Sequence, residues 1–174
     1  MRVTISGPPG SGTTSLSKYL VLKHGFDLIS AGEIFRTMAA EKGMDLADFG
    51  RLAEEDPSVD KLIDERQKEI GESKDNIVIE GRLAGHMIDN ADLKIWVSAS
   101  LECRALRIAK RESLSSDVAT DLTAERDECE AGRYAGYYGI DISDLSVYDL
   151  VVSSEKWGRE ELGRIIDTAI ENLN

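Results

Sequence analysis

A glycine-rich run, Gly7-Pro8-Pro9-Gly10-Ser11-Gly12-Thr13-Thr14-Ser15, follows a short β-branched stretch and opens a helical one. Glycines let the chain wrap closely, so successive backbone N–H groups and the positive end of the next helix converge on one point, the geometry a phosphate needs. Thr14 stands where the pattern G-x-x-x-x-G-K-[ST] places an Mg²⁺-ligating hydroxyl, and Thr13 stands where that pattern has lysine. Two readings follow from the missing lysine. Either other cations supply the charge, or the loop binds a nucleotide without catalysing transfer.

Cations are available elsewhere. Arg104, Arg107 and Arg111 share one helix face, Arg126 and Arg133 share a face of the next helix, and the Ser- and Asp-rich segment between, 112–120, reads as a hinged flap. The spacing leaves open which of Arg104 and Arg107 faces inward. Two further arginines lie just beyond apolar runs that read as strands, Arg36 in SAGEIFR and Arg82 in EGRLAG. Ligands of open α/β sheets bind at those strand ends. Glu80, at the end of such a run, is suited to orient an Mg²⁺-bound water, because a buried carboxylate is costly unless paired or near a metal.

The elements that must position these residues alternate between short apolar runs and helical periodicity, the pattern of an α/β domain with a parallel sheet. Five strands are expected at 2–6, 27–30, 76–80, 93–97 and 149–152, and helices at about 13–24, 100–113, 121–138 and 159–173. Residues 31–73 hold three helical stretches and no strand, which reads as a helical insertion within one domain spanning 1–174, the core being 1–30 and 74–174.

Composition sets the outer bounds. Lys and Arg number 21 against 33 Asp and Glu, a net charge of −12, which opposes binding of nucleic-acid polymers and requires any phosphate site to concentrate its cations locally. Two cysteines, Cys103 and Cys129, form neither a metal-binding spacing nor a disulfide framework. The N-terminal residues lack a secretory core, and no apolar run approaches the ~20 residues of a membrane span, so a cytoplasmic protein with no membrane partner is expected.

Taken in order, GPPGSGTTS, ISAGEIFR, IEGRLAG, RALRIAKRE, ERDECEAGRY and YGIDISDLSVYDLVV resemble the nucleoside monophosphate kinases, most closely the archaeal-type cytidylate kinases, over essentially the whole chain. In that family a threonine at the lysine position is normal for active members. The resemblance implies a P-loop NTPase fold with a five-stranded parallel sheet flanked by helices. It also implies a helical monophosphate-binding insertion, an Arg-bearing lid, and transfer of phosphate from MgATP to CMP or dCMP. Gly7, Pro8, Pro9, Gly10, Ser11, Gly12, Thr13, Thr14 and Ser15 would hold ATP, with Thr14 and, through water, Glu80 on Mg²⁺. Arg36 and Arg82 would clamp the CMP phosphate, with Ser30, Phe35 and Gly81 beside them. Arg107, Arg111, Arg126 and Arg133 would join Arg82 in neutralising the transferring group. His86 occupies the position where related adenylate and UMP/CMP kinases place a base-reading amide. The expected picture is a basic cleft in an otherwise acidic surface. The rival readings are an adenylate or other small-molecule kinase, disfavoured because no Phe-Pro pair precedes Arg82, and a nucleotide-binding regulatory module, disfavoured by the two-arginine clamp.

Overall fold

The computed structural model describes residues 1–173, and every side chain among them except those of 46, 47, 50 and 54. The elements run β1 (Arg2–Ser6), α1 (Thr13–His24), β2 (Asp27–Ser30), α2 (Ala31–Glu41), α3 (Leu46–Glu55), α4 (Pro57–Ser73), β3 (Ile77–Glu80), α5 (Ala84–Met87), β4 (Leu93–Ser98), α6 (Leu101–Glu112), α7 (Ser116–Tyr138), β5 (Leu150–Ser153) and α8 (Arg159–Glu171). The five strands form one all-parallel sheet in the order β2-β3-β1-β4-β5. Central β1 pairs with β3 on one side and β4 on the other, and its C-terminal end is where crossovers leave in opposite directions. Ile5 and Ser30 both register with Glu80, which sets the ends of β1, β2 and β3 level at that crevice.

Strand side chains alternate between two cores. Val3, Ile5, Val78, Ile95 and Val97 pack with Leu16 and Leu20 of α1 and Leu162 and Ile166 of α8. Ile77 and Ile79 point to the other face, onto Ile34 and Met38 of α2, Phe49 of α3 and Ile63 of α4. Each such side chain contributes about 1.5–3 kcal/mol on burial, so an apolar wedge ending in the fully buried Phe49 holds the helices between β2 and β3 to the sheet. Their starts are capped: Ser30 Oγ accepts from the Glu33 N–H, Asp45 from that of Asp48, and Asp56 from that of Ser58 with Pro57 in the first turn.

Some boundaries differ from expectation. Strand β3 begins at Ile77, because Asn76 has a φ of +55° and cannot continue a strand. The stretch 112–120 is mostly helix, and α7 begins five residues earlier than expected. Helix α6 ends at Glu112, Ser113 turns the chain at φ +58°, and α7 starts at Ser116 beneath the Ser115 cap, whose Oγ accepts from the Val118 N–H. Ser and Asp there serve a helix start, where their side chains accept backbone N–H groups, and only 113–115 remain as a turn. Helices α6 and α7 lie close through Ala105, Ala109 and Ala119, with Leu114 packed against them. No helix among the described residues is long and apolar enough to cross a membrane.

Candidate active site

The loop after β1 is held open by backbone geometry. A Cβ on Gly7 would sit 2.3 Å from the Val97 carbonyl oxygen, so β1 and β4 approach only because residue 7 has no side chain. Gly12, at φ +104°, turns the chain into α1 without a side-chain cap, and no acidic residue occupies the first turn of that helix. The leading N–H groups of α1 are therefore free for an external anion.

Thr13 and Thr14 both donate their hydroxyls to one oxygen of Glu80, at 2.8 and 2.9 Å. Glu80 reaches them because β3 neighbours β1, and its backbone carbonyl is in turn held by the buried Gln67 Nε2 of α4 at 2.7 Å. Among the described residues no three His, Cys, Asp or Glu side chains gather as a metal site. The donors present, a hydroxyl beside a carboxylate at a phosphate loop, fit Mg²⁺, a hard cation that keeps water and takes its remaining ligands from phosphate.

Behind the loop stand two arginines of α6. Arg107 Nη1 donates to the carbonyls of Gly10 (3.1 Å) and Ser11 (3.2 Å) and to Ser154 Oγ (2.9 Å), and Nη2 to the Ser154 carbonyl (3.0 Å). Arg104, 5% exposed, donates to the carbonyls of Ala99 and Pro9 and grips Asp127 through both terminal nitrogens, at 3.2 and 2.6 Å. Neither lines the cleft. This corrects the placement of Arg107 among groups facing a transferring phosphate, since its donors are taken by loop carbonyls. Because a trans peptide points C=O and N–H in opposite directions, the grip on the Ser11 carbonyl aims the Gly12 N–H away from α6.

The cleft in front of the loop has a volume of about 1060 Å³ and is lined by Gly7, Pro8, Pro9, Gly10, Thr13 and Thr14 of the loop, by Ser30, Phe35 and Arg36, by Glu80, Gly81 and Arg82, and by the α7 face carrying Arg126 and Arg133, together with Arg111. Ser11, Gly12 and Ser15 are not among its walls. Ser11 is fully buried, and Ser15 is exposed on α1. The Ser30 hydroxyl is engaged as the α2 cap. His86 lies elsewhere, its ring edge-on to Tyr148 at 5.7 Å, because α5 lies against β1 with the Gly85 N–H donating to Ser6 Oγ. Burial pushes its imidazole pKa down. The expectation that it reads a base is therefore corrected.

The arginines do not stand alone. Arg82, its side chain 10% exposed, pairs with Glu130 at 3.0 Å and more loosely with Asp127 at 3.5 Å, and its guanidinium lies 5.9 Å from the Trp96 ring centre. Arg126 Nε donates to the other Glu130 oxygen at 2.7 Å, and Arg133 pairs with Asp60 at 2.8 Å. Five arginines, Arg36, Arg82, Arg111, Arg126 and Arg133, thus share the walls with five carboxyl groups, Asp60, Asp64, Glu80, Glu125 and Glu130. The expected basic pocket with its carboxylates elsewhere is corrected to a cleft of balanced charge. Arg82 Nη1 and Arg133 Nε are nevertheless buried without a hydrogen-bond acceptor. Asp64, Glu125 and Tyr134 were missed as wall residues. The four-residue spacings of Asp60 with Asp64 and of Tyr134 with Tyr138 were the signals that place each pair on one helix face.

A phosphate loop after the first strand of a β2-β3-β1-β4-β5 parallel sheet, with arginines gathered at the strand ends, defines the class of P-loop kinases. Solved structures share this fold. An uncharacterised protein from Eubacterium ventriosum superposes with a TM-score of 0.71 at 17% identity, covering 98% of each chain. Shikimate kinase from Bacteroides thetaiotaomicron superposes at 0.63 with 14% identity, again over 98% of each. Within that class the chain belongs to the cytidylate kinase-like family, whose model matches residues 2–156. A cytidylate kinase of Methanoculleus marisnigri is 64% identical over 173 residues, covering 99% of this chain and 96% of that protein. One of Methanosarcina barkeri is 50% identical over 176 residues, covering 99% and 98%.

Proposed function

We propose that the protein transfers the γ-phosphoryl group of ATP to CMP or dCMP, giving ADP and CDP or dCDP. The observation that carries this reading is the unpartnered Nη1 donor of Arg82, which belongs to a nearly buried guanidinium at the end of β3, in the same cleft as the phosphate loop. A buried donor without an acceptor costs about 1–3 kcal/mol, and an acceptor phosphate at that point removes the cost.

In this reading the loop N–H groups and the α1 terminus hold the ATP phosphates. Thr14 and, through water, Glu80 would hold Mg²⁺, which would supply positive charge against that of the group in transit. Arg36 and Arg82 clamp the acceptor phosphate, with Ser30 and Gly81 beside it, and Phe35, braced on Phe49 at 4.8 Å between ring centres, offers the nucleoside an aromatic wall. The bond from the γ phosphorus to its bridging oxygen breaks as one forms to an oxygen of the CMP phosphate. That oxygen is already unprotonated near neutral pH, since a phosphate monoester loses its second proton at about pH 6, so no general base is needed. Arg111, Arg126 and Arg133 neutralise the transition state, the last two exchanging Glu130 and Asp60 for phosphate oxygens. Closure of the α2–α4 region against α7 excludes water and suppresses ATP hydrolysis. Purified protein offered ATP with CMP, dCMP, UMP or AMP in a coupled assay should turn over CMP and dCMP. Turnover of AMP with none of CMP would overturn the assignment.

A further inference from the structure

The five carboxyl groups of the cleft are not equivalent. Glu80 takes two threonine hydroxyls, Asp60 pairs with Arg133, Glu130 bridges Arg82 and Arg126, and Glu125 is exposed to solvent. Asp64, half-buried away from the phosphate loop, meets the Tyr138 hydroxyl, which donates to Oδ2 at 2.7 Å, and pairs with no arginine among the described residues. Its second oxygen has no hydrogen-bonding protein partner among the described residues. The titratable and charged groups facing it are Asp60, one turn earlier on α4, and Arg133, Tyr134 and Tyr138 on α7. Burial and Asp60 favour the neutral carboxyl, the Tyr138 hydrogen bond and Arg133 oppose it, and burial prevails, so the pKa is pushed up to about 6. Gln67, three residues further along the same helix, donates to the Glu80 carbonyl at the end of β3, so Asp64 stands on α4 about 4.5 Å of axial rise before the residue that meets the sheet, and lines the same cleft as Arg36 and Arg82.

A neutral carboxyl group presents one donor and one acceptor side by side. Cytosine presents the complement, an acceptor at N3 beside the N4 amine, whereas uracil reverses both. An ionised carboxyl presents two acceptors and matches neither base at both points. We propose that Asp64 distinguishes cytosine from uracil, its carboxyl proton bonding N3 while its other oxygen accepts from the N4 amine, so that a proton enters the site with CMP. Tyr138, which donates to Oδ2, then acts as a positioning residue: it keeps Oδ2 as the accepting oxygen and leaves the proton on Oδ1, since a proton on Oδ2 would complement uracil instead. This inference rests on the reading of the cleft as a CMP site and goes beyond it by naming the base reader and its proton linkage.

The test combines calorimetry with kinetics. CMP binding to the wild-type protein at about pH 7.5, measured in buffers of different ionisation enthalpy, should show uptake of close to one proton. The ratio of kcat/KM for CMP over UMP should fall as pH rises through the weakly alkaline range, approaching tenfold per unit as the limit of one-proton linkage. D64N keeps one donor and one acceptor permanently, so it should retain the CMP preference while losing the pH dependence beyond that of the phosphate itself and the proton uptake. D64L should lower the CMP-over-UMP ratio by about 100-fold or more and leave ATP binding intact. An unchanged ratio in D64L, or undiminished proton uptake in D64N, would overturn the proposal. Should D64L fail to fold, D64N and the wild-type proton count still decide. A wild-type protein that does not turn over CMP at all would instead sink the functional reading, so the two failures are distinguishable.

Discussion

Arg107→Ala separates the placement the spacing suggested from the one the structure shows. The guanidinium makes four contacts of 2.9–3.2 Å, three to backbone carbonyls of the loop and β5 end and one to Ser154 Oγ, and none toward the cleft. Hydrogen bonds from a charged donor contribute about 1.5–3 kcal/mol each when counted singly, but four from one group are far from additive. Part of the loss is recovered because Ser154 Oγ still donates to the Ser11 carbonyl at 2.5 Å. We therefore expect a net destabilisation of about 2–4 kcal/mol. A loop no longer held in its binding geometry must order itself on ATP, and at about 1–2 kcal/mol per residue fixed this amounts to a 10- to 100-fold rise in the KM for ATP. The KM for CMP should move less than about threefold. Thermal unfolding monitored by circular dichroism gives the first quantity, and a matrix of ATP and CMP concentrations gives the second. A variant of wild-type stability whose CMP KM rises while its ATP KM holds would refute the reasoning and return Arg107 to the cleft.

Arg82→Ala should lower kcat/KM for CMP by about 100-fold or more and leave ATP affinity, measured by equilibrium binding without CMP, within about twofold; an equal loss of ATP affinity would remove Arg82 from the acceptor site. Asp64 also predicts a pH dependence of stability. Its folded-state pKa lies above the unfolded value, so the native state holds the proton more tightly, no penalty exists below about pH 4, and one develops as pH rises through about 6. D64N removes the ionisable group, so relative to wild type it should be more stable at about pH 8 than at about pH 4, by up to about 3 kcal/mol. Chemical denaturation of both proteins at the two pH values checks this, and a stability difference that does not change with pH would refute the shift.

The strands and the loop were legible because their signals are local. Runs such as Val3-Thr4-Ile5 and Ile77-Val78-Ile79 are β-branched throughout and buried on both faces, and Gly7 and Gly10 sit where backbone approach forbids a Cβ, while Gly12 takes a positive φ. The segment 112–120 was misread because Ser and Asp serve loops and helix starts alike, and only the cap geometry at Ser115 tells them apart. Spacing put Arg104, Arg107 and Arg111 on one face but said nothing of their depth. The loop carbonyls that absorb Arg107 come from residues about a hundred positions earlier, a pairing local sequence cannot show. The pairing of arginines with carboxylates from other elements is hidden for the same reason. Asp60 on α4 and Arg133 on α7 meet only once both helices lie on the sheet. His86 was placed by position after Arg82, and the short α5 turned it toward Tyr148 instead.

The balanced walls of the cleft have a kinetic consequence. With five arginines and five carboxyl groups around it, in a chain of net charge −12, the cleft exerts little long-range pull on a dianion. On the proposed reading, capture depends on short-range exchange, in which phosphate oxygens take over guanidinium hydrogens that Asp60 and Glu130 already hold. Small free anions such as sulfate or inorganic phosphate must displace the same carboxylates without the binding energy of a nucleoside, so the site stays available in a salty medium, and nucleotide association there is set by fit and diffusion far more than by ionic strength.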